Sequence, residues 1–232
     1  MHGLPDSTDD SSSFIGYTPN IHMETDILVF GDSIAYGAWD KEGGWVSRLK
    51  EFSHKKAQPS SDFYTLVYNL SVSGETTEDL LERFDSEAAQ RATENTIIVF
   101  AIGINDLQFI ESGHDSGKTL ARFKDNITRL VKTAHRMSSK VFFVGLTPLD
   151  EKETHSLASD GENPYTNENI RALNKIIEGV CSKEKAKFID IFSSFMKKGH
   201  EKLLEDGLHP NSDGHRLIFK LVKEALVKSK AI

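Results

Sequence analysis

The sequence predicts one α/β domain built on a parallel sheet, and three observations predict it. Strand-like and helix-like segments alternate from Asp26 to the last helix. The run Ile97-Ile98-Val99-Phe100-Ala101-Ile102 is apolar throughout, as a central strand covered on both faces must be. Turns rich in Gly, Asp, Ser and Asn follow the first three apolar runs, at the strand ends where open α/β sheets bind ligands. A chain of 232 residues suffices to bury a large core within a single domain.

Each element has its own signal. Residues 26–31 read as strand one, with the apolar run Ile27 to Phe30 ending at a Gly-Asp-Ser turn. Trp45, Leu49 and Phe52 recur at helical spacing after it. Residues 63–70 form strand two, where Val67 and the aromatic side chains favour extended backbone. Residues 77–92 are helical, with Leu80, Leu81, Phe84 and Ala88 on one face and Thr77 at the start. Residues 96–103 are strand three. Leu120, Phe123, Ile127, Leu130, Val131 and Ala134 stripe the next helix, and residues 141–146 are strand four. Ile170, Leu173, Ile176, Ile177 and Val180 stripe a further helix before strand five at 187–192. Leu217, Ile218, Leu221, Val222 and Ala225 mark the last helix. Five strands joined by helices imply right-handed crossovers between parallel neighbours. There is no internal repeat. Residues 147–169 are polar and irregular, and are expected to form a flap or wall near the sheet edge or else a plain surface excursion.

Composition excludes several classes. A hydrophobic content of 38% with 27% charged residues fits a soluble globular protein. The net charge of −7 argues against a nucleic-acid partner, which needs a basic surface. Lys183, Lys185 and Lys187 read as a solvated helix end. The single cysteine, Cys181, lies on an apolar helical stripe and is expected in the core, not as a nucleophile. No apolar run is long enough to span a bilayer, so membrane insertion is not expected. Residues 1–22 are polar, with Asp6, Asp9, Asp10 and a serine run, and lack the basic and apolar regions of a secretory signal. They read as a disordered tail or as sequence added ahead of Met23, leaving 23–232 as one domain with a cytoplasmic location expected.

Four blocks carry chemistry. Gly31-Asp32-Ser33-Ile34 follows strand one, and Ser71-Val72-Ser73-Gly74-Glu75-Thr76 follows strand two. Gly103-Ile104-Asn105-Asp106 follows strand three, and Asp206-Gly207-Leu208-His209-Pro210 lies near the C-terminus. In this order they resemble the blocks of the GDSL or SGNH hydrolase family of esterases and lipases, from about Asp26 to the last helix. The resemblance implies a flavodoxin-like three-layer α/β/α sandwich with a five-stranded parallel sheet in the order 2-1-3-4-5. It also implies a serine esterase acting on carboxylic esters or thioesters, with a small-molecule acyl ester as partner and no cofactor. Ser33 would be the nucleophile, His209 the base, and Asp206 the residue that orients the imidazole from the same loop turn. Only neutral imidazole accepts the serine proton, so activity should fall on the acid side. Pro210 stiffens the backbone just after the base.

By the same resemblance, the oxyanion hole would use the backbone N–H groups of Ser33 and Gly74 and the side-chain amide of Asn105. Glycine at 74 leaves the substrate's approach clear of a Cβ. Asp32 and Asp106 read as turn or cap residues that scaffold the site. Taken alone, Ser33 would read as a helix N-cap, and Ser71 and Ser73 as turn residues. Trp39, Trp45 and Phe109 are candidates for an acyl pocket or for core and rim packing. His114, His135, His155, His200 and His215 show no metal-ligand spacing, so no metal is expected.

Two near-motifs fail on context. Gly31-Asp32-Ser33-Ile34-Ala35 is one residue from the Gly-x-Ser-x-Gly elbow, but follows the first strand instead of a mid-chain one. Gly113 to Thr119 resembles a phosphate loop, but its glycines stand too close and it does not directly follow a strand. The family resemblance leaves lysophospholipase, acyl thioesterase and carbohydrate O-acetyl esterase open as narrower activities. A catalytically silent binding module on the same fold is the alternative outside enzymes.

Overall fold

A computed structural model of the protein describes residues 23–56, 63–110, 116–154 and 164–232. The sheet has five strands, β1 (Met23–Gly31), β2 (Phe63–Asn69), β3 (Ile97–Ala101), β4 (Lys140–Val144) and β5 (Lys187–Ile189). All neighbours are parallel, in the order β2-β1-β3-β4-β5. The helices are α1 (Ser33–Tyr36), α2 (Gly44–Lys56), α3 (Thr77–Ala89), α4 (Ser116–Ala134), α5 (Glu151–Thr154), α6 (Asn167–Glu184), α7 (Phe192–Lys198) and α8 (Ser212–Lys228). α2 packs with α8, while α3, α4 and α6 pack in sequence as a second layer. The expected α/β/α sandwich and its strand order are therefore observed.

The core explains the position of the sheet's C-terminal edge. Ile27 to Phe30 and Ile97 to Phe100 are fully buried, as their unbroken apolar runs require. Phe30, Phe100 and Phe143 are in register across three adjacent strands. Phe84 from α3 packs edge-on against Phe30 at 4.9 Å and against Phe100 at 5.0 Å. This aromatic row pins β1 at Phe30, three residues before Ser33.

Some boundaries differ from the sequence reading. Strand five is only three residues long, and Phe192 opens α7 with its ring in the core. Strand four stops at Val144, after which Asn174 of α6 bonds both backbone groups of Leu146 at 2.8 Å and 3.2 Å. Trp45 is fully buried against the core, so it does not line an acyl pocket. Cys181 is buried in α6, and burial pushes its thiol up to about 12, which suits packing and not nucleophilic chemistry. No helix among the described residues is long and apolar enough to cross a membrane. Residues 1–22, His114, His155 and the glycine at 113 lie outside the described residues, as does 155–163 of the expected flap.

Gly31, paired with Ala101 of β3, ends β1 just before the Ser33 turn. A Cβ there would meet the carbonyl oxygen of Ala101 at 2.4 Å and the Ala35 Cβ at 2.6 Å. Both neighbours are held by backbone, so the strand itself would have to move. Gly31→Ala is expected to destabilise the domain by about 1–3 kcal/mol in denaturant unfolding; an unchanged midpoint would show that the turn yields freely.

Candidate active site

The Asp32 side chain caps α1 by accepting from the Ile34 N–H at 3.0 Å. That leaves Ser33 as the first helical residue with its hydroxyl uncommitted to capping, so Ser33 is not the N-cap. Its Oγ lies 2.9 Å from His209 Nε2. His209 Nδ1 lies 2.8 Å from Asp206 Oδ2. The carboxylate also accepts the backbone N–H groups of Leu208 at 3.0 Å and His209 at 2.7 Å through Oδ1. The Asp-x-x-His spacing makes this local turn possible.

The turn is itself braced. Leu204 and Pro210 form an antiparallel bridge, and Glu205 N–H donates to the His209 carbonyl at 2.8 Å. Asp150 N–H, after β4, donates to the Gly207 carbonyl at 2.8 Å. Burial works against ionisation of Asp206, but the hydrogen bonds from His209 and Leu208 outweigh it and hold the carboxyl below its ordinary range. An ionised Asp206 fixes the proton on Nδ1, which leaves the Nε2 lone pair facing Ser33.

The loop after β2 and the turn after β3 meet opposite this dyad. Asn105 donates an amide hydrogen to the Glu75 carbonyl at 2.9 Å, which assigns the amide orientation and leaves its second N–H for a ligand. Gly74 has φ +82°, a left-handed backbone that suits glycine, and no atom lies within 4 Å of a Cβ built there. The space beside its N–H is therefore open. Ser33 N–H lies in the first turn of α1, where helical N–H groups have no intrahelical acceptor. The three expected donors thus sit on three consecutive strand ends. Among the described residues no cluster of His, Cys, Asp and Glu could hold a metal ion.

Asp106, read from the sequence as a turn or cap residue that scaffolds the site, caps a helix distant in sequence. Its carboxylate does not close its own turn; it accepts from Thr77 N–H at 3.0 Å and Thr77 Oγ1 at 2.5 Å, and so holds the start of α3. Asn126 of α4 completes this buried group through Thr77 Oγ1 at 3.1 Å. Burial raises the Asp106 carboxyl to about 6, against the Thr77 hydrogen bonds. Burial, with the nearby Asp106 charge, raises Asp32 to about 7.

Several residues of the site escaped the sequence reading. Arg83 pairs with buried Glu75 through both carboxylate oxygens at 2.5 Å and donates to the Leu70 carbonyl at 2.8 Å, clamping the Gly74 loop. Asp40 accepts from Arg48, from Gly44 N–H at 2.9 Å and from Ser212 Oγ at 2.6 Å. Trp39, a candidate for the acyl pocket or rim, is exposed and also donates its indole N–H to Asp206 Oδ2 at 2.8 Å. Apart from Gly44 and Asp40, these partners are eight or more residues apart, beyond any local spacing rule.

A serine hydroxyl bonded to an oriented imidazole, facing open N–H groups, is equipped for acyl transfer. Comparisons with known proteins agree with that chemistry. A sequence model of the GDSL-like lipase/acylhydrolase family matches residues 29–217. The uncharacterized protein YpmR of Bacillus subtilis (strain 168) is 27% identical over 218 residues, covering 87% of this chain and 81% of its own. The crystal structure of a lipase/acylhydrolase from Enterococcus faecalis superposes with TM-score 0.67 at 23% identity, over 87% of this chain and 95% of that one. Axe2, an acetylxylan esterase from Geobacillus stearothermophilus, gives TM-score 0.68 at 15% identity, over 88% and 95%. At these identities the two structures establish a shared fold.

Two outcomes follow from the site's supports. Arg83→Met strips a buried carboxylate of its partner and is expected to destabilise the domain by about 3 kcal/mol in denaturant melts; a loss under about 0.5 kcal/mol, the level of ordinary surface changes, would deny the clamp its role. Asp32 ionises near 3.8 when unfolded and near 7 when folded, so rising pH favours the unfolded chain across that window. Asp32→Asn removes this term and keeps the acceptor for Ile34. Its Tm relative to wild type should climb from about pH 4 to about pH 7, whereas a constant difference would contradict the raised carboxyl.

Proposed function

Since this chain belongs to the GDSL-like lipase/acylhydrolase family, we propose that it is a serine ester hydrolase working through an acyl-enzyme on Ser33. The observation that carries this reading is the unbroken hydrogen-bond chain from Ser33 Oγ to His209 Nε2 at 2.9 Å and from His209 Nδ1 to Asp206 Oδ2 at 2.8 Å. Ser33 Oγ attacks the ester carbonyl while His209 Nε2 takes its proton. Asp206 stabilises the resulting imidazolium. The negative oxygen of the tetrahedral intermediate is received by Ser33 N–H, Gly74 N–H and the free amide hydrogen of Asn105. Collapse breaks the bond to the alcohol, which leaves with the proton held on His209. Water then attacks acyl-Ser33, giving its proton to His209, and the carboxylic acid departs as Ser33 regains its own. This sequence needs no cofactor.

The surroundings favour an apolar acyl or alcohol group. Tyr36, Trp39, Val72 and Phe109 expose 60%, 64%, 48% and 42% of their surface, and all four lie on the segments that carry Ser33, Gly74 and Asn105. Large apolar side chains left open together mark a binding surface more often than an inert one. Short- to medium-chain carboxylic esters of a small molecule fit such an open rim, with thioesters as a close variant. An O-acetyl sugar ester is the second reading, supported by structural neighbours described as acetyl xylan esterases.

The test is hydrolysis of p-nitrophenyl esters from acetate to palmitate, alongside acetylated xylan. Wild type should turn over and Ser33→Ala should lose roughly 10³-fold or more in kcat. Asn105→Ala should lose about 10²–10³-fold with Ser33 still labelled by a fluorophosphonate. Full activity in Ser33→Ala would overturn the acyl-enzyme, and preference for acetylated xylan would favour the second reading.

A further inference from the structure

Ala38, Trp39 and Asp40 follow α1 and make three successive contacts to the C-terminal part of the chain. The Ala38 carbonyl faces His215 Nε2 at 3.4 Å, Trp39 Nε1 reaches Asp206 Oδ2 at 2.8 Å, and Asp40 Oδ1 accepts from Ser212 Oγ at 2.6 Å. The Trp39 backbone is left-handed, at φ +64°, an unusual conformation for so bulky a residue. Its indole stands edge-on to the His209 ring, 5.9 Å away at 87°. Asp40 beside it is buried and anchored by Arg48 and the Gly44 N–H. A strained, well-anchored backbone thus presents one exposed tryptophan to the two residues that would activate Ser33.

The direction of the indole bond can be assigned. Trp39 Nε1 also lies 3.1 Å from His209 Nδ1. If it donated there, Nδ1 would carry no proton and its lone pair would face the Asp206 carboxylate at 2.8 Å. That arrangement is repulsive, and it would place a proton on the nitrogen that faces Ser33. Asp206 Oδ2 therefore accepts both the imidazole Nδ1–H and the indole N–H.

We infer that Trp39 is a positioning residue of the acyl-transfer site, holding Asp206 Oδ2 in line with the imidazole through its indole N–H. The inference rests on the Ser33-His209-Asp206 reading above. Asp206 is 41% exposed, so without the indole its outer oxygen would exchange partners with water and turn away from Nδ1. Trp39 occupies that second lone pair and covers the imidazole edge. It acts on catalysis through Asp206 and not by touching the reacting bond.

The test compares wild type, Trp39→Phe, Asp206→Asn and the double variant on one p-nitrophenyl ester across pH. Trp39 is largely exposed, and the phenyl ring keeps an apolar side chain in place, so Trp39→Phe should fold with a near-native Tm. It should lose about 10-fold in kcat, as expected for a hydrogen bond to a charged group, with KM within about 2-fold. The acid limb of its profile should move to lower pH, because a carboxylate that has turned away from Nδ1 stabilises imidazolium less. Two further groups behind the imidazole leave that limb to Asp206 and Trp39: burial lowers His215 to about 4, and Asp40 stays ionised against Arg48. In the Asp206→Asn background Trp39→Phe should cost less than about 2-fold. Wild-type kcat in Trp39→Phe, a loss confined to KM, or full additivity with Asp206→Asn would each overturn the inference. Ser33→Ala run beside them separates the two levels: if it is inert, these outcomes strike Trp39 alone, and if it is active, the underlying reading fails with it.

Discussion

The buried carboxylate of Asp40 is the constraint on which the C-terminal edge of this sheet depends. It caps α2 at Gly44, pairs with Arg48 inside that helix and accepts from Ser212 at the start of α8. Burial alone would raise such a carboxyl, yet the Arg48 and Ser212 hydrogen bonds, with those of Glu42 and Gly44, hold it below its ordinary range. A charge this enclosed is costly unless every partner stays in place. The α2 and α8 ends are thereby locked to each other, and α8 begins three residues after His209. Ser33 and His209, separated by 176 residues of chain, meet across that lock.

The opposite half of the site has a separate frame. Thr76 and Asp79 form a capping box at the start of α3, and Asp106 and Asn126 complete it through Thr77. The Glu75–Arg83 pair ties the loop before α3 to its second turn, and Arg83 extends over the Phe30 ring. The backbone that presents Gly74 and the Asn105 amide is therefore pinned from α3 and α4, while the His209 loop is pinned from α2 and α8. The α3 frame rests on the aromatic row of β1 and β3 through Phe84 and Arg83. In the proposed ester hydrolysis, donors held this way need no reorganisation as charge develops, which is the physical basis of oxyanion stabilisation.

What the sequence could disclose follows from the range of each interaction. The strands were legible because Ile27 to Phe30 and Ile97 to Phe100 are buried on both faces and so carry an unbroken apolar code. Asp206 and His209 were legible as a pair because three residues of spacing suffice for their bond. Strand five was overextended because Phe192 is as apolar in α7 as it would be in a strand. The partner of Asp106 was not legible, because Thr77 lies 29 residues away and no local pattern encodes that contact. Trp39 was placed among pocket and rim candidates since neither its left-handed backbone nor its bond to Asp206 leaves a periodic trace. Long-range polar bonds, in short, are written in the topology and not in the spacing.

The two aspartates beside the Ser33-His209 pair illustrate how environment assigns roles to identical side chains. Asp206 is partly open and surrounded by donors, so it remains ionised and can orient and stabilise a positive imidazole. Asp32 is enclosed and near the Asp106 carboxyl, so burial first and that charge second push it up to about 7. A protonated Asp32 places no full negative charge next to the Ser33 N–H, where an oxyanion would need to settle. In the proposed ester hydrolysis, exchanging the two environments would put the charge beside the developing oxyanion and remove it from the imidazole, opposing both steps. The chain thus separates its carboxyls by enclosure: the turn after α7 carries one held below its ordinary range, and the sheet edge beneath Ser33 carries one raised above it.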